Sequence, residues 1–255
     1  MHERENILKQ TLAEGRPAFG LWCSLAEALT TEVMAGAGAD WLLIDAEHSP
    51  NDLRSVVRQL QVAAAFPVEP LVRLPVDDPN LIKQFMDAGA RSLMIPNVRS
   101  AQQAREIARA MAYAPLGGTR GYSVGHRANQ FGRIADYHRN ARERQFLAVQ
   151  IECETGVAHA AEIAAVEGVD ALFVGPGDLS TNLGAMGNPN ADHVQSAIAA
   201  VLAATRAAGK PAGILAPVKT DADRYLADGF TMLAIGSDLG LLARASDALV
   251  AAFKR

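Results

Sequence analysis

Two carboxylates are the first residues of this sequence that could do chemistry together. Glu152 and Asp178 each follow a short apolar run and stand 26 residues apart. This spacing fits one strand and helix, so the side chains can lie on neighbouring strand ends and share a divalent cation with waters or substrate oxygens. All-oxygen ligation suits Mg²⁺ or Mn²⁺ better than Zn²⁺. The structural alternative is that Asp178, before LSTNLG, caps a helix.

A histidine and an arginine form a second candidate pair. His48 lies in IDAEHSPND, where an imidazole can act as a general base, and Asp45 could orient its ring. Arg73 ends the run PLVR and presents a fixed fork for a carboxylate or a developing enolate oxygen. The alternative for Arg73 is an ion pair at the strand end.

The segment VGPGDLS (174–180) predicts a tight turn ahead of a helix. Its glycines, Gly175 and Gly177, leave backbone N–H groups open toward an anion beside Asp178. None of the lysines lies in a predicted strand, which disfavours a Schiff-base mechanism. No nucleophile elbow, Walker loop or H-E-x-x-H motif occurs.

A repeated pattern predicts the elements that position these residues. Four glycines each precede an apolar run that ends seven residues later: Gly38, Gly89, Gly168 and Gly229. The pattern is typical of a helix closed by a left-handed glycine and followed by a strand buried on both faces. Further candidate strands are 18–23, 69–73, 146–152 and 211–215, which makes eight strands with helical periodicity between most neighbours.

Eight parallel strands in 255 residues predict one (β/α)8 barrel over residues 1–255. An open doubly wound sheet is the competing fold, but no G-x-G-x-x-G follows a strand. In a barrel of this kind, the active-site residues lie at the carboxyl ends of the strands. The residues at these ends are Trp22, Asp45, Glu47, His48, Arg73, Asn97, Glu152, Glu154, Asp178, Ser237 and Asp238.

One long segment interrupts the rhythm between the fourth and fifth strands. It contains PLGGTRGYSVGHRANQFGR and, with the residues after it, six arginines: Arg120, Arg127, Arg133, Arg139, Arg142 and Arg144. A long segment in a compact domain is usually functional or at an interface. A solvated surface excursion is the alternative for any one arginine.

Charge and hydropathy exclude several classes of protein. With 24 basic and 28 acidic residues, the net charge of -4 predicts neither a nucleic-acid nor a membrane partner. No apolar run is long enough for a transmembrane helix, and MHERENILKQ has no apolar signal-peptide core. Two cysteines are too few for a disulfide framework. We therefore expect a cytoplasmic protein.

The motifs WLLIDAEHSPND, LVRLP, MDAGARSLMIPNV, QIECETG and VGPGDLS, in this order and spacing, resemble the HpcH/HpaI aldolase family. The resemblance runs from about residue 5 to 253. It implies a metal-dependent pyruvate aldolase that cleaves 4-hydroxy-2-oxoheptane-1,7-dioate or 2-dehydro-3-deoxy sugar acids to pyruvate and an aldehyde. The implied cofactor is Mg²⁺, Mn²⁺ or Co²⁺, with no organic cofactor. The implied assembly is a hexamer whose subunits exchange the last helix.

The resemblance also assigns roles by motif. It implies that His48 is the base, that Arg73 stabilises the enolate, and that Glu152 and Asp178 bind the metal. Asp45 and Asp87 are implied acids near the histidine, Asp87 from across a subunit interface. The implied substrate contacts are Gln150 and the backbone N–H of Gly177. From their positions at the strand ends, we expect Gly175 and Trp22 to contact the substrate as well.

Two departures from the family pattern leave the substrate preference open. The chain has Cys153 and Glu154 where family members often continue E-T-R or E-T-K, and Gly177 where alanine or serine is common. We expect the aldehyde to be recognised by the long segment, by the tail of a neighbouring subunit and by residues after strand eight. A citramalyl-CoA or citrate-lyase-like lyase, an oxaloacetate decarboxylase and a non-catalytic 2-oxo acid binder remain alternatives.

Overall fold

A computed structural model of the chain describes residues 5–254. Met1 to Arg4, the first four residues of the segment MHERENILKQ on which the signal-peptide prediction rests, lie outside the described residues, as does Arg255. Eight parallel strands close into a barrel in sequence order, with β8 pairing with β1. The predicted (β/α)8 barrel is confirmed, and the open sheet was wrong. The strands are β1 Ala18–Cys23, β2 Trp41–Asp45, β3 Glu69–Arg73, β4 Ser92–Ile95, β5 Phe146–Ile151, β6 Ala171–Val174, β7 Ala212–Leu215 and β8 Met232–Ser237.

Helices connect these strands on the outside of the barrel. They are α1 Ile7–Ala13, α2 Ala28–Ala35, α3 Leu53–Ala63, α4 Pro79–Asp87, α5 Ala101–Met111, α6 Tyr137–Arg144, α7 Glu154–Ala158, α8 Ala160–Ala164, α9 Pro176–Asn182, α10 Asp192–Ala207, α11 Lys219–Asp228 and α12 Asp238–Phe253. The four repeat glycines all have positive φ, from +84° at Gly38 to +110° at Gly89 and Gly229. Glycine reaches this left-handed conformation without a Cβ clash, so the predicted turn from each helix into the next strand is confirmed.

Aromatic side chains fill the barrel interior below the carboxyl ends of the strands. Trp22, Trp41 and Phe173 contact one another with ring centroids 5.9 to 6.4 Å apart. Glycines make room for two of these rings, since a Cβ on Gly20 would lie 2.1 Å from the Trp41 ring and one on Gly213 would lie 2.4 Å from Phe173. The barrel interior is therefore filled, and the aromatic rings lie beneath the candidate functional residues at the strand ends.

The long segment between β4 and β5 lies at the amino-terminal end of the barrel. It follows α5, which returns from the carboxyl end of β4, and it leads through α6 into β5. Arg120 is buried, contacts the Tyr113 ring at 4.7 Å and pairs with Asp87 at 2.5 Å. Arg127 donates to the carbonyl of Ala88 at 2.9 Å. Within one chain the segment thus lies at the opposite end of the barrel from the carboxyl ends of the strands. Any role in recognising the aldehyde therefore requires a second copy of the chain.

The last helix leaves the body of the barrel. In α12, Asp238 is the buried residue, while Leu242, Leu249, Val250 and Phe253 are each at least half exposed. A helix with an apolar surface normally covers it with another element. Among the described residues, no helix is both long and apolar enough to cross a membrane.

Candidate active site

A buried arginine and aspartate form the rigid part of the candidate site. Asp45 and Arg73 end the neighbouring strands β2 and β3 and are paired in register. Arg73 donates from Nε and Nη2 to the two carboxylate oxygens of Asp45 at 2.9 and 2.8 Å. Burial raises the pKa of Asp45, but the hydrogen bonds and charge of Arg73 outweigh it and hold that pKa below its usual range. Asp45 is therefore an anion that fixes the guanidinium.

The structure changes the predicted relation between Asp45 and His48. Both oxygens of Asp45 are engaged by Arg73, and Asp45 meets His48 through the backbone N–H at 3.4 Å. The nearest acid to the imidazole is Glu47, whose Oε2 lies 3.8 Å from Nε2. The predicted orientation of the ring by Asp45 is thus corrected, because the fork of Arg73 takes that carboxylate.

Glu47 links the histidine to the arginine. Its Oε2 also forms an ion pair with Nη1 of Arg73 at 2.8 Å. Burial raises the pKa of Glu47 above its usual value, against the charge of Arg73. The His48 side chain is 64% exposed, so the imidazole can reach a ligand in the barrel mouth.

Glu152 is a buried carboxylate held by two neutral donors. Its Oε1 accepts from the backbone N–H of Asn97 at 2.8 Å, and its Oε2 accepts from Gln150 at 3.1 Å. Asn97 has φ +54°, a left-handed conformation that asparagine tolerates better than most residues. Burial first, and then the negative charges of Asp178 and Glu47, raise the pKa of Glu152 to about 7. The positive charge of Arg73 therefore offsets only part of the effect of burial and of the neighbouring acids on Glu152.

Asp178 lies in the first turn of α9, close enough to Glu152 to raise its pKa. The predicted helix cap was wrong, because Gly175 is the N-cap residue and Asp178 comes three positions later. Gly175 is required for space, since a Cβ there would lie 2.5 Å from Oε2 of Glu152. At the exposed Gly177, by contrast, a Cβ would meet no atom within 4 Å.

The acidic residues fit a hard divalent cation. Burial raises the pKa values of both Glu47 and Glu152, and the negative charge of Asp178 adds to both shifts. A cation would relieve that repulsion. Within residues 5–254 no group of three or more His, Cys, Asp or Glu side chains has the geometry of a metal site. The chain would therefore provide Glu152 and Asp178, with waters or substrate completing the oxygen shell.

A cavity of about 310 Å³ opens at the carboxyl end of the barrel next to these groups. Its lining includes the predicted residues Trp22, His48, Arg73, Gln150, Gly175, Gly177 and Asp178. It also includes Phe173, Leu215, Pro217, Ser237 and Arg244. The sequence analysis did not name Arg244, because it looked for functional residues at the carboxyl ends of the strands and Arg244 lies in the second turn of α12.

Several candidate residues do not line this cavity, among them Asp238, Glu154 and Asp87. Asp238 accepts hydrogen bonds from the backbone N–H groups of Ser24 and Leu25 and thereby joins the β1 and β8 ends. Glu154 is an exposed residue in the first turn of α7. Asp87 ends α4 at the opposite end of the barrel, so it cannot reach His48 of its own chain.

Comparisons with known proteins agree with this geometry. Residues 18–245 match the family model described as HpcH/HpaI aldolase/citrate lyase. The chain is 47% identical to a hydroxypyruvate/pyruvate aldolase of Deinococcus radiodurans, covering 98% of this chain and 90% of that protein. It is 44% identical to a 5-keto-4-deoxy-D-glucarate aldolase of Klebsiella pneumoniae subsp. pneumoniae, covering 98% of this chain and 97% of the relative.

It is also 44% identical to a 4-hydroxy-2-oxo-heptane-1,7-dioate aldolase of Shigella sonnei, covering 98% of this chain and 95% of the relative. A crystal structure of a family member from Burkholderia cenocepacia superposes with a TM-score of 0.95 at 39% identity, covering 98% of this chain and 100% of that one. The chain belongs to the HpcH/HpaI aldolase/citrate lyase family and is an enzyme of the carbon–carbon lyase class, an aldolase.

Proposed function

We propose that this aldolase reversibly cleaves a 4-hydroxy-2-oxo acid into pyruvate and an aldehyde, with a divalent cation at Glu152 and Asp178. The observation that carries the proposal is the cluster of carboxylates around Glu152, beside a fixed arginine and an accessible histidine. The pKa of Glu152 is raised to about 7, because Arg73 offsets only part of the effect of burial and of the neighbouring negative charges. The relatives named above, aldolases of a keto-deoxy-glucarate, a hydroxy-oxo-heptanedioate and hydroxypyruvate/pyruvate, support this reaction class.

Each side chain has a defined task in this reaction. Arg73, fixed by Asp45, directs its guanidinium toward the mouth and neutralises negative charge that develops on the 2-oxo group. His48, at the exposed rim, takes the proton of the C4 hydroxyl, directly or through a water, as the C3–C4 bond breaks. Gln150 contacts both Arg73 and Glu152 and keeps their spacing.

The bound cation would supply Lewis-acid polarisation of the 2-oxo acid. Mg²⁺, Mn²⁺ and Co²⁺ all accept carboxylate oxygens. Gly177 lies in the first turn of α9 and lines the cavity, so we assign its backbone N–H to the pyruvate carboxylate. Trp22 stacks beside Arg73, with the guanidinium carbon 5.3 Å from its ring centroid, and bounds the apolar side of the mouth.

The active assembly is a homo-oligomer, with a hexamer as the implied size. The exposed apolar face of α12 fits a second copy, and an apolar groove lined by Phe19, Ala216, Pro217, Ala222, Leu226 and Ile235 lies beside α11 to receive such a helix. Assembly also gives Asp87 a route to the site, because that carboxylate can approach only the His48 of another subunit.

The test is exchange of the pyruvate methyl protons in D₂O, followed by proton NMR. With Mn²⁺ or Mg²⁺ the wild-type protein exchanges these protons, and EDTA abolishes the exchange. Glu152→Ala with metal shows no exchange, and His48→Ala reports whether the histidine is needed for this proton. Lack of exchange with every divalent metal would overturn the proposal and favour an acyl-CoA lyase or a non-catalytic binder.

A further inference from the structure

Arg244 is the charged residue of the cavity lining to which the proposed reaction gives no role. It lies on α12, in the second turn after β8, and lines the cavity with Ser237, Gly236 and Trp22. The proposed chemistry uses Glu152, Asp178, His48 and Arg73, and none of these steps needs a second guanidinium.

The local sequence directs the Arg244 side chain back along the helix toward the rim. Side chains four residues apart lie on one face of a helix, so Arg244 lies above position 240. That position is glycine, and a Cβ there would lie 3.0 and 3.1 Å from Nη1 and Nη2 of Arg244. The missing side chain lets the guanidinium rest against the first turn of α12, next to Ser237.

The two arginines of the cavity differ in their partners. Arg73 is 6% exposed and ion-paired to Asp45 and Glu47. For Arg244 no ion pair or side-chain hydrogen bond is present within residues 5–254, and it is exposed. Apart from the two arginines and His48, the ionisable groups near the mouth are the acidic residues Glu47, Glu152 and Asp178, which repel an anion. Arg244 is therefore the free positive charge of the cavity.

The position of Arg244 around the barrel shows which part of a substrate it meets. The carboxylates Glu152 and Asp178 follow β5 and β6, where the pyruvate half binds under the proposed function. His48 follows β2, next to β1, and β1 and β8 lie across the mouth from β5 and β4. A substrate chain that passes His48 at C4 and continues away from β5 and β6 would extend toward β1 and β8. Its far end would then lie beside Trp22, Ser237 and Arg244, which line the cavity there.

We propose that Arg244 is a specificity-determining residue that binds an anionic group at the far end of the aldehyde half of the substrate. The inference rests on the proposed function, because the aldehyde end is defined by it. It assigns to this chain an aldehyde that carries a carboxylate or a phosphate in addition to its reacting carbonyl.

The experiment measures addition of pyruvate to paired aldehydes by wild-type protein with saturating Mn²⁺. The carboxylate pair is 4-oxobutanoate and pentanal, and the phosphate pair is glyceraldehyde 3-phosphate and glyceraldehyde. The readout is the ratio of kcat/KM for the charged aldehyde to that for its uncharged counterpart. The variants are Arg244→Gln, Arg244→Lys and, as a surface-charge control, Arg58→Gln on the exposed side of α3.

In Arg244→Gln the ratio falls about tenfold, mainly through KM of the charged aldehyde, as expected for loss of one solvent-accessible charged hydrogen bond. Arg244→Lys recovers part of the ratio, and Arg58→Gln leaves it unchanged. The pair whose ratio falls identifies the anion. Ratios equal to wild type in Arg244→Gln for both pairs would overturn the assignment. Failure of the proposed function is seen separately, as absence of proton exchange in wild-type protein with pyruvate alone, and it would remove this inference as well.

Discussion

Replacing Arg73 by methionine tests the buried ion pair at the base of the site. Methionine keeps much of the apolar contact with Trp22 but removes both hydrogen bonds to Asp45 and the 2.8 Å ion pair to Glu47. Asp45 is 2% exposed, so its carboxylate keeps two backbone donors and gains no water. Breaking a buried pair by removing one partner costs about 3–5 kcal/mol. Glu47 can hydrate at the rim, so we expect a loss of about 3–4 kcal/mol in the free energy of unfolding.

The assay is urea unfolding with EDTA present and at one protein concentration, because assembly changes apparent stability. The double variant Asp45→Asn with Arg73→Met removes the unpaired charge and recovers about half of the loss, roughly 1.5–2 kcal/mol. The Asp45→Asn single variant completes the cycle that gives the coupling energy of the pair.

The pH dependence of the same experiment has a defined sign. In the wild-type protein the pKa of Asp45 is lowered, so its stabilising contribution is present at neutral pH and is lost as pH falls through the folded-state pKa. Without Arg73, only the backbone N–H groups of Glu47 and His48 still oppose the effect of burial, so the pKa of Asp45 rises. The difference between wild type and Arg73→Met therefore shrinks between pH 7 and pH 4. A loss below about 1 kcal/mol at pH 7, or a difference that does not change with pH, would refute the reasoning.

Three further predictions follow from the site and from α12. Gly177→Ala keeps the fold and raises the free energy of unfolding by up to about 1 kcal/mol, because its Cβ meets no atom within 4 Å. Gly175→Ala, by contrast, displaces Glu152 and loses Mn²⁺ binding in calorimetry. In EDTA, the free energy of unfolding falls by up to about 3 kcal/mol as the pH rises from 4.5 to about 7. The reason is that the pKa of Glu152 is raised to about 7 in the folded protein, which therefore holds this proton more tightly than the unfolded chain does. Glu152→Gln flattens that pH dependence in urea titrations, and a steeper one contradicts it. Leu249→Asp on the exposed face of α12 yields smaller assemblies by light scattering, and an unchanged mass argues against the helix as an interface.

The barrel could be predicted because its signals are local. A left-handed glycine before each apolar run marks the end of a helix and the start of a strand, and four such repeats confine the topology. The strand-end rule then placed His48, Arg73, Gln150 and the first turn of α9 around one cavity without any knowledge of distances.

The remaining details depend on which side chains compete for the same partner, and the spacing of residues in the sequence does not reveal this. His48 is three residues from Asp45, but the guanidinium of Arg73, 28 residues away in sequence, takes that carboxylate with two hydrogen bonds. The long segment could not be placed from its composition, since its position is decided by Arg120 and Arg127 binding the end of α4. Arg244 was missed because its side chain returns over a glycine on a helix that otherwise leaves the barrel.

The closure of the ring by Asp238 has a consequence for synthesis of the chain. This carboxylate accepts N–H groups from Ser24 and Leu25, residues separated from it by 214 and 213 positions. While the chain is being made, β1 therefore keeps one unpaired edge until β8 has emerged from the ribosome. Exposed strand edges recruit other strands, and contacts of such large sequence separation form late. Newly made chains that stop before residue 238 are thus the species of this protein most prone to aggregate, and chaperone binding should be concentrated on them.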